Sequence, residues 1–491
     1  MLRQIRWAKI APQWLRHSIA MAGVGVTILC FTGLEVDVLG LQGHKAWAAS
    51  KLVSAESASL QKNLTYTAKL SNGMPVVIRE IPGSDLVHFQ VNFGSGIRDL
   101  PSGQKALSQW YWDVAPLAGK GYTKQKVFAL TEQYGIQLEC NGGIEQSFCG
   151  LGTISDYWKD ALPLIASIVK TPTLSENDAK IVLDRVKADL RSVPGDPNGY
   201  VNEVVNSIFY PKGHPYRLNH DEALMELESL KPKDLKSFHK KVLNADQMSL
   251  VVVSSLPRER LLKDLESYFG EIKGQKDAKS SLQTPPFSEG TSFTFVDRSV
   301  PTAFIKIKMN APAISDKDAV ASLLMFDILS EELGDEIRTK RSLSYAVHAF
   351  TIQYSLGIGV ISASTSKPKE TFEALGEVIK TLKDKTLTEE ELEEHKNVFA
   401  TEHYLTQETH ASLAAALSNA LYYYGDAQKY YDVAQKLAAV TPDDIKRLTK
   451  SQLINPRIGV IFSRKNFDDS WAKNFISKNL VHDSPGNHKK S

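Results

Sequence analysis

The sequence predicts an α+β chain of two homologous halves. Each half should be a sheet with helices packed mainly on one face, and the two α/β sandwiches should close on each other as a clamshell. Three observations predict this. First, residues 230–253 (LKPKDLKSFHKKVLNADQMSLVVV) recur at a fixed offset of 210 as residues 440–463 (VTPDDIKRLTKSQLINPRIGVIFS). Pro232 matches Pro442, Asp234 matches Asp444, Leu235 matches Ile445 and Leu243 matches Leu453. Each copy opens a helix on proline, carries an apolar stripe at helical spacing and ends in a β-rich run. Second, VHFQVNF at 87–93 and FIKIKM at 304–309 alternate apolar and polar residues, the mark of a strand. Third, two long helices start on the same signal, Leu174-Ser175-Glu176 and Leu387-Thr388-Glu389, with a hydroxyl N-cap and acids in the first turn.

At 491 residues the chain is too long for one ordinary domain. It is 42% hydrophobic and 23% charged, a globular composition, and a formal net charge of +2 argues against a nucleic-acid partner. Residues 1–48 stand apart. Arg3, Arg6, Lys9 and Arg16 precede an apolar run from Ile19 to Leu34, and Ala46-Trp47-Ala48 supplies a small-x-small cleavage pattern. This reads as a cleaved export signal, with an uncleaved anchor as the alternative. The run of about 16 residues falls short of the ~20 needed to span a bilayer comfortably, so no stable membrane span is expected after cleavage. The expected compartment is the periplasm or an equivalent envelope space.

The remaining elements follow in order. Asn72-Gly73 between apolar runs signals a hairpin. KALSQWYWDVAPLAG at 105–119 reads as a helix. Cys140 and Cys149 flank CNGGIEQSFC, two short strands around a Gly-rich turn, where opposed residues can meet disulfide geometry. In an oxidising compartment a bridge is expected, with two buried thiols as the alternative. The helix from Ser175 includes RVKADLRS at 185–192. The polar, Pro/Gly/Ser-rich stretch 274–292 reads as a linker between an N-terminal half at 60–273 and a C-terminal half at 293–468. The tail from Asp483 is expected to be disordered.

Few residues suggest chemistry. Residues 337–345 (IRTKRSLSY) carry Arg338 and Tyr345, seven apart across a helix–strand junction. Both donate hydrogen bonds, Arg with a permanent charge, and such a pair suits a developing oxyanion. The alternative is an exposed Arg and a half-buried strand Tyr. His214 and His220 read as structural. His395, His403 and His410 span too much helix to converge on one metal ion. Tyr422–Tyr424 and Trp110–Trp112 read as core or interface, and the acidic run 388–395 as a solvated helix start.

Taken together and in this order, four segments resemble the pitrilysin/insulinase family of zinc peptidases, in its mitochondrial-processing-peptidase-like branch. They are NGMPVVI at 72–78, FYPKGHPYRLNHDEAL at 209–224, the helix-then-strand repeat, and IRTKRSLSY. The family's chemistry uses HxxEH on a helix of the first half, two His binding zinc and Glu acting as general base, with a further acid from a later helix. Matching the family's glycine to Gly119 sets Trp110, Tyr111, Trp112, Asp113 and Val114 on that motif. Asp189 falls near the third-ligand position. No HxxEH occurs in the sequence, and one carboxylate without imidazoles is not a zinc site. The resemblance implies no metal or cofactor in this chain. It implies zinc in an HxxEH-bearing homologous partner, and Arg338 and Tyr345 as peptide-binding and oxyanion-stabilising groups. The expected role is the substrate-binding subunit of an exported heterodimeric metallopeptidase, inactive alone. The rival expectation is a non-catalytic scaffold or binding subunit of an envelope complex.

Overall fold

The computed structural model describes residues 62–275 and 286–479. The expected export signal at 1–48, the tail from Asp483 and residues 276–285 of the expected linker lie outside the described residues. The first sheet holds β1 (Thr65–Lys69), β2 (Pro75–Glu80), β3 (Leu86–Phe93), β4 (Gln137–Gly142), β5 (Ser147–Ile154) and β6 (Met248–Ser254), in the order β1-β2-β6-β3-β5-β4. The second holds β7 (Ser292–Asp297), β8 (Ala303–Ala311), β9 (Ala346–Gln353), β10 (Gly357–Thr365) and β11 (Arg457–Phe462), in the order β7-β11-β8-β10-β9. Without β1 the two orders are the same. Each sheet has one parallel pair, β2 with β6 and β7 with β11, and antiparallel pairs elsewhere.

The repeated segments build equivalent elements. Helices Pro232–Val242 and Pro442–Gln452 both begin on proline, whose missing N–H costs nothing there. Asp234 and Asp444 carboxylates accept the backbone N–H groups of Lys231 (2.8 Å) and Thr441 (3.1 Å). Each helix leads into a central strand, β6 or β11. The Asn72-Gly73 turn joins β1 to β2, with Gly73 in the left-handed region at φ 87°.

One face of each sheet packs on helices of its own half. Val76, Ile78, Phe89, Val91 and Leu250 meet Trp110, Trp158 and Phe269 in the first. Ile305, Ile307, Ile361 and Val460 meet Leu324, Phe372 and Leu448 in the second. The sequence led us to expect helices mainly on one face, and here the structure differs. The opposite face of each sheet is covered by a helix from the other half. Helix His410–Tyr424 lies on β3 and β6, with Ala414 and Leu417 against Val77, Val251 and Val253. Helix Pro197–Phe209 lies across β11, β8 and β7, with Val201 and Val204 against Ile461. It approaches so closely that a Cβ on Gly459 would sit 3.0 Å from the Val205 nitrogen. The reason is visible in the central strands. Leu250, Val251, Val252 and Val253 are all buried, and an unbroken apolar run requires cover on both faces.

The exchanged helix also buries charge. Lys308 of β8 donates to Asn206 Oδ1 (2.6 Å) beneath helix Pro197–Phe209, beside the Phe209 and Tyr210 rings. Burial, with repulsion from Lys306, pushes its pKa down to about 7. The unfolded chain holds the proton up to roughly pH 10.4, so stability should rise with pH between about 7 and that value. In urea unfolding, wild type should gain stability relative to Lys308→Met between neutral pH and about pH 9.5. Parallel pH profiles for the two proteins would overturn the buried-ammonium reading.

Candidate functional site

Helix Ala106–Val114 carries the residues aligned with the zinc motif. Trp110 is fully buried, and its indole N–H donates to the Ala179 carbonyl (2.8 Å). Tyr111 hydroxyl bonds His239 Nδ1 (2.8 Å). Trp112 packs on Phe93 and Phe238, and Val114 is buried. The two positions that need imidazoles are therefore an indole, already donating, and an isopropyl group, neither with a lone pair for a metal. Asp113 is half-buried and pairs with Arg185 (3.1 Å) from helix Glu176–Ser192. The countercharge for the surviving carboxylate is thus a guanidinium. Asp189, one turn after Arg185, is exposed. These residues do not fit zinc. Among the described residues no group of three or more His, Cys, Asp or Glu is placed to hold a metal ion.

Arg338 and Tyr345 flank an anchored loop. Helix Ala319–Leu333 runs into a π-helical turn, Gly334–Lys340, a feature frequent at functional sites. Ile337 is fully buried, Leu343 donates its N–H to the Ile337 carbonyl (2.8 Å), and Ser344 hydroxyl donates to the Ser364 carbonyl (2.7 Å). Lys340 and Arg341 are committed to Glu336 (3.0 and 2.6 Å), and Arg341 also to Glu377. What remains uncommitted is Arg338, exposed, and Tyr345, 97% exposed, neither with a hydrogen bond or ion pair among the described residues. Tyr345 sits one residue before β9 and not within the strand, which is why it escapes half-burial.

A third constellation joins the halves. Glu145, in the turn between β4 and β5, is a buried carboxylate, its side chain 1% exposed. One oxygen takes the Arg98 guanidinium and the Tyr216 hydroxyl. The other takes the Ser355 N–H and hydroxyl (3.1 Å each) and the Tyr423 hydroxyl (2.7 Å). Arg98 and Tyr216 belong to the first half, and Ser355 and Tyr423 to the second. Ser355 lies in the β9–β10 turn, at the repeat's offset from Glu145, so the tips of two equivalent hairpins meet. Burial, and then the Glu145 charge, push the Tyr216 and Tyr423 phenols well above the ordinary range, which keeps both as donors. On the same hairpin Cys140 lies directly opposite Cys149, and the two form a disulfide. The Tyr422–Tyr424 cluster lies at this junction, as an interface reading would have it. Glu145 carried no sequence signal beyond being a lone acid in a glycine-rich turn.

A repeated α/β sandwich, with no cluster placed to hold a metal ion among the described residues, sets the frame for comparison with known proteins. The chain resembles the M16, or pitrilysin/insulinase, peptidases. Residues 229–399 match the family model described as "Peptidase M16 inactive domain". The chain is 22% identical over 306 residues to the probable mitochondrial-processing peptidase subunit beta of Schizosaccharomyces pombe, a match spanning 62% of this chain and 66% of that relative. Among solved structures, a peptidase M16 inactive domain from Pseudomonas fluorescens superposes with a TM-score of 0.73 at 17% identity, covering 81% of this chain and 97% of that one. A chain of complex III2 from Candida albicans gives 0.72 at 17% identity, covering 84% and 99%. These structures share the clamshell fold.

Removing one partner of a buried, saturated carboxylate cluster typically costs 3–5 kcal/mol. Glu145→Ala should therefore lower unfolding stability by about 3–5 kcal/mol, and Tyr423→Phe by about 1 kcal/mol, in urea titrations. A Glu145→Ala change within measurement error would show that the cluster does not hold the halves.

Proposed function

We propose that this chain is the zinc-free, substrate-binding subunit of an exported heterodimeric metallopeptidase. A homologous partner bearing HxxEH contributes zinc and water. This chain contributes half the chamber, with Arg338 and Tyr345 as donors to the peptide near its scissile carbonyl. The observation that carries this reading is the contrast between two sites. The motif helix is closed by Trp110 and Val114 and neutralised by Arg185, while Arg338 and Tyr345 stand uncommitted on a loop that Leu343, Ser344 and Arg341 help to fix. A rigid loop with free donors is the preorganisation that oxyanion stabilisation requires. An export signal in residues 1–48 and the Cys140–Cys149 disulfide support an oxidising envelope compartment. No described helix is long and apolar enough to cross a membrane.

The test reconstitutes the chain with an HxxEH-bearing family member and measures peptide hydrolysis. Arg338→Ala or Tyr345→Phe should lower turnover by about 10²–10³ while co-purification of the two subunits is unchanged. Equal rates for variant and wild type would refute the role, and no stimulation by wild type would favour the scaffold reading.

A further inference from the structure

The second sheet carries a row of polar side chains, Lys306, Ser362 and His348. In the β8–β10–β9 register Ser362 lies opposite Lys306 on one side and His348 on the other. Directly paired residues project to the same face. That face is the one away from the second half's own core, because Val347, Ala349, Ile305 and Ile307 fill the core side. Helix Pro197–Phe209 covers β11, β8 and β7, and β10 and β9 extend beyond it toward the edge of the sheet. Lys306 is 9% exposed and makes no hydrogen bond or ion pair among the described residues. Its neighbour Lys308 is committed to Asn206 (2.6 Å). Ser362, the smallest of the three, stands between Lys306 and His348 in the register. His348 keeps an exposed side chain three residues along from Tyr345, about 10 Å at strand spacing.

A nearly buried ammonium with no anion of its own asks for one from outside. We infer that Lys306, Ser362 and His348 form a subsite for a carboxylate of a bound peptide. The carboxylate lies over Ser362, accepting from its hydroxyl, from the Lys306 ammonium and from a ring N–H of His348. The field of the row agrees. Burial alone pushes Lys306 down to about 8, with no acid near enough to oppose it. Loss of hydration and then the Lys306 charge hold His348 below the ordinary imidazole value. The inference rests on the peptide-binding role proposed above and adds to it a preference for acidic sequence.

The carboxylate can come from an Asp or Glu side chain or from the peptide's own C terminus, and three probes separate these. They are fluorescein-labelled peptides of one neutral Ala/Ser sequence: one with a central Glu and an amidated end, one with a central Gln and an amidated end, and one with a central Gln and a free C-terminal carboxylate. Anisotropy titration of the full chain should show one of the two carboxylate peptides binding about tenfold tighter than the neutral one, as expected for a charge-assisted hydrogen bond. The Glu peptide winning assigns a side-chain subsite, and the free-end peptide winning assigns a terminus subsite. Lys306→Met should remove the difference and Lys306→Arg should keep it. Equal affinities on wild type, or a preference that survives in Lys306→Met, would overturn the subsite and leave peptide binding standing. If none of the three peptides binds wild type, the peptide-binding reading falls and the subsite falls with it.

Discussion

The carboxylate of Glu145 is the point on which the two halves meet. It has left water almost completely, and a charge in that position is tolerated only when its lone pairs are filled. Five donor groups fill them, and they come from four separated stretches of chain: Arg98 after β3, Tyr216 in the loop before helix His220–Ser229, Ser355 in the β9–β10 turn and Tyr423 at the end of helix His410–Tyr424. Ser355 and Tyr423 reach this carboxylate across the boundary between the halves, so the charge is fully satisfied only when the halves are docked. The disulfide a few residues away fixes the hairpin that presents it.

The exchanged helices serve the same end by hydrophobic means. Each covers the second face of the other half's sheet, so each sheet is a three-layer structure assembled from both halves. This leaves the outer ends of β9 and β10, and the loop before them, as the part of the second half with the most unused chemistry. Arg338 and Tyr345 end the loop, and Lys306, Ser362 and His348 lie in the adjoining row. In the first half, by contrast, helix Ala106–Val114 is core: Trp110, Tyr111 and Trp112 are buried within the sandwich.

Much of this was legible in the sequence, and the reasons differ by element. The Pro232/Pro442 repeat predicted equivalent helix–strand units because proline, an N3 carboxylate and an apolar stripe are each local signals with a fixed spacing. The Asn72-Gly73 turn and the Cys140/Cys149 hairpin were legible for the same reason. The absence of HxxEH was legible because a missing motif is as visible as a present one. Glu145 was not legible, since its meaning lies in partners from 47 to 278 residues away and a single acid has no period. The helix exchange was hidden too: an apolar run such as Leu250–Val253 says that both faces are covered and not by what. FIKIKM alternates as a half-solvated strand would, and only the structure puts Lys308 beneath a helix and leaves Lys306 without an anion.

The exchange of helices has a consequence for how the chain comes off the ribosome. The first sheet has all its strands once Ser254 has been made, but its second apolar face waits for helix His410–Tyr424. At roughly 5–20 residues per second, that wait is on the order of ten seconds or more. During it Val77, Val251 and Val253 have nothing of their own to pack against. Long-range closure of this kind slows folding and favours association of incomplete chains. A chain cut between the halves would not be a smaller stable protein but half of an interlocked pair.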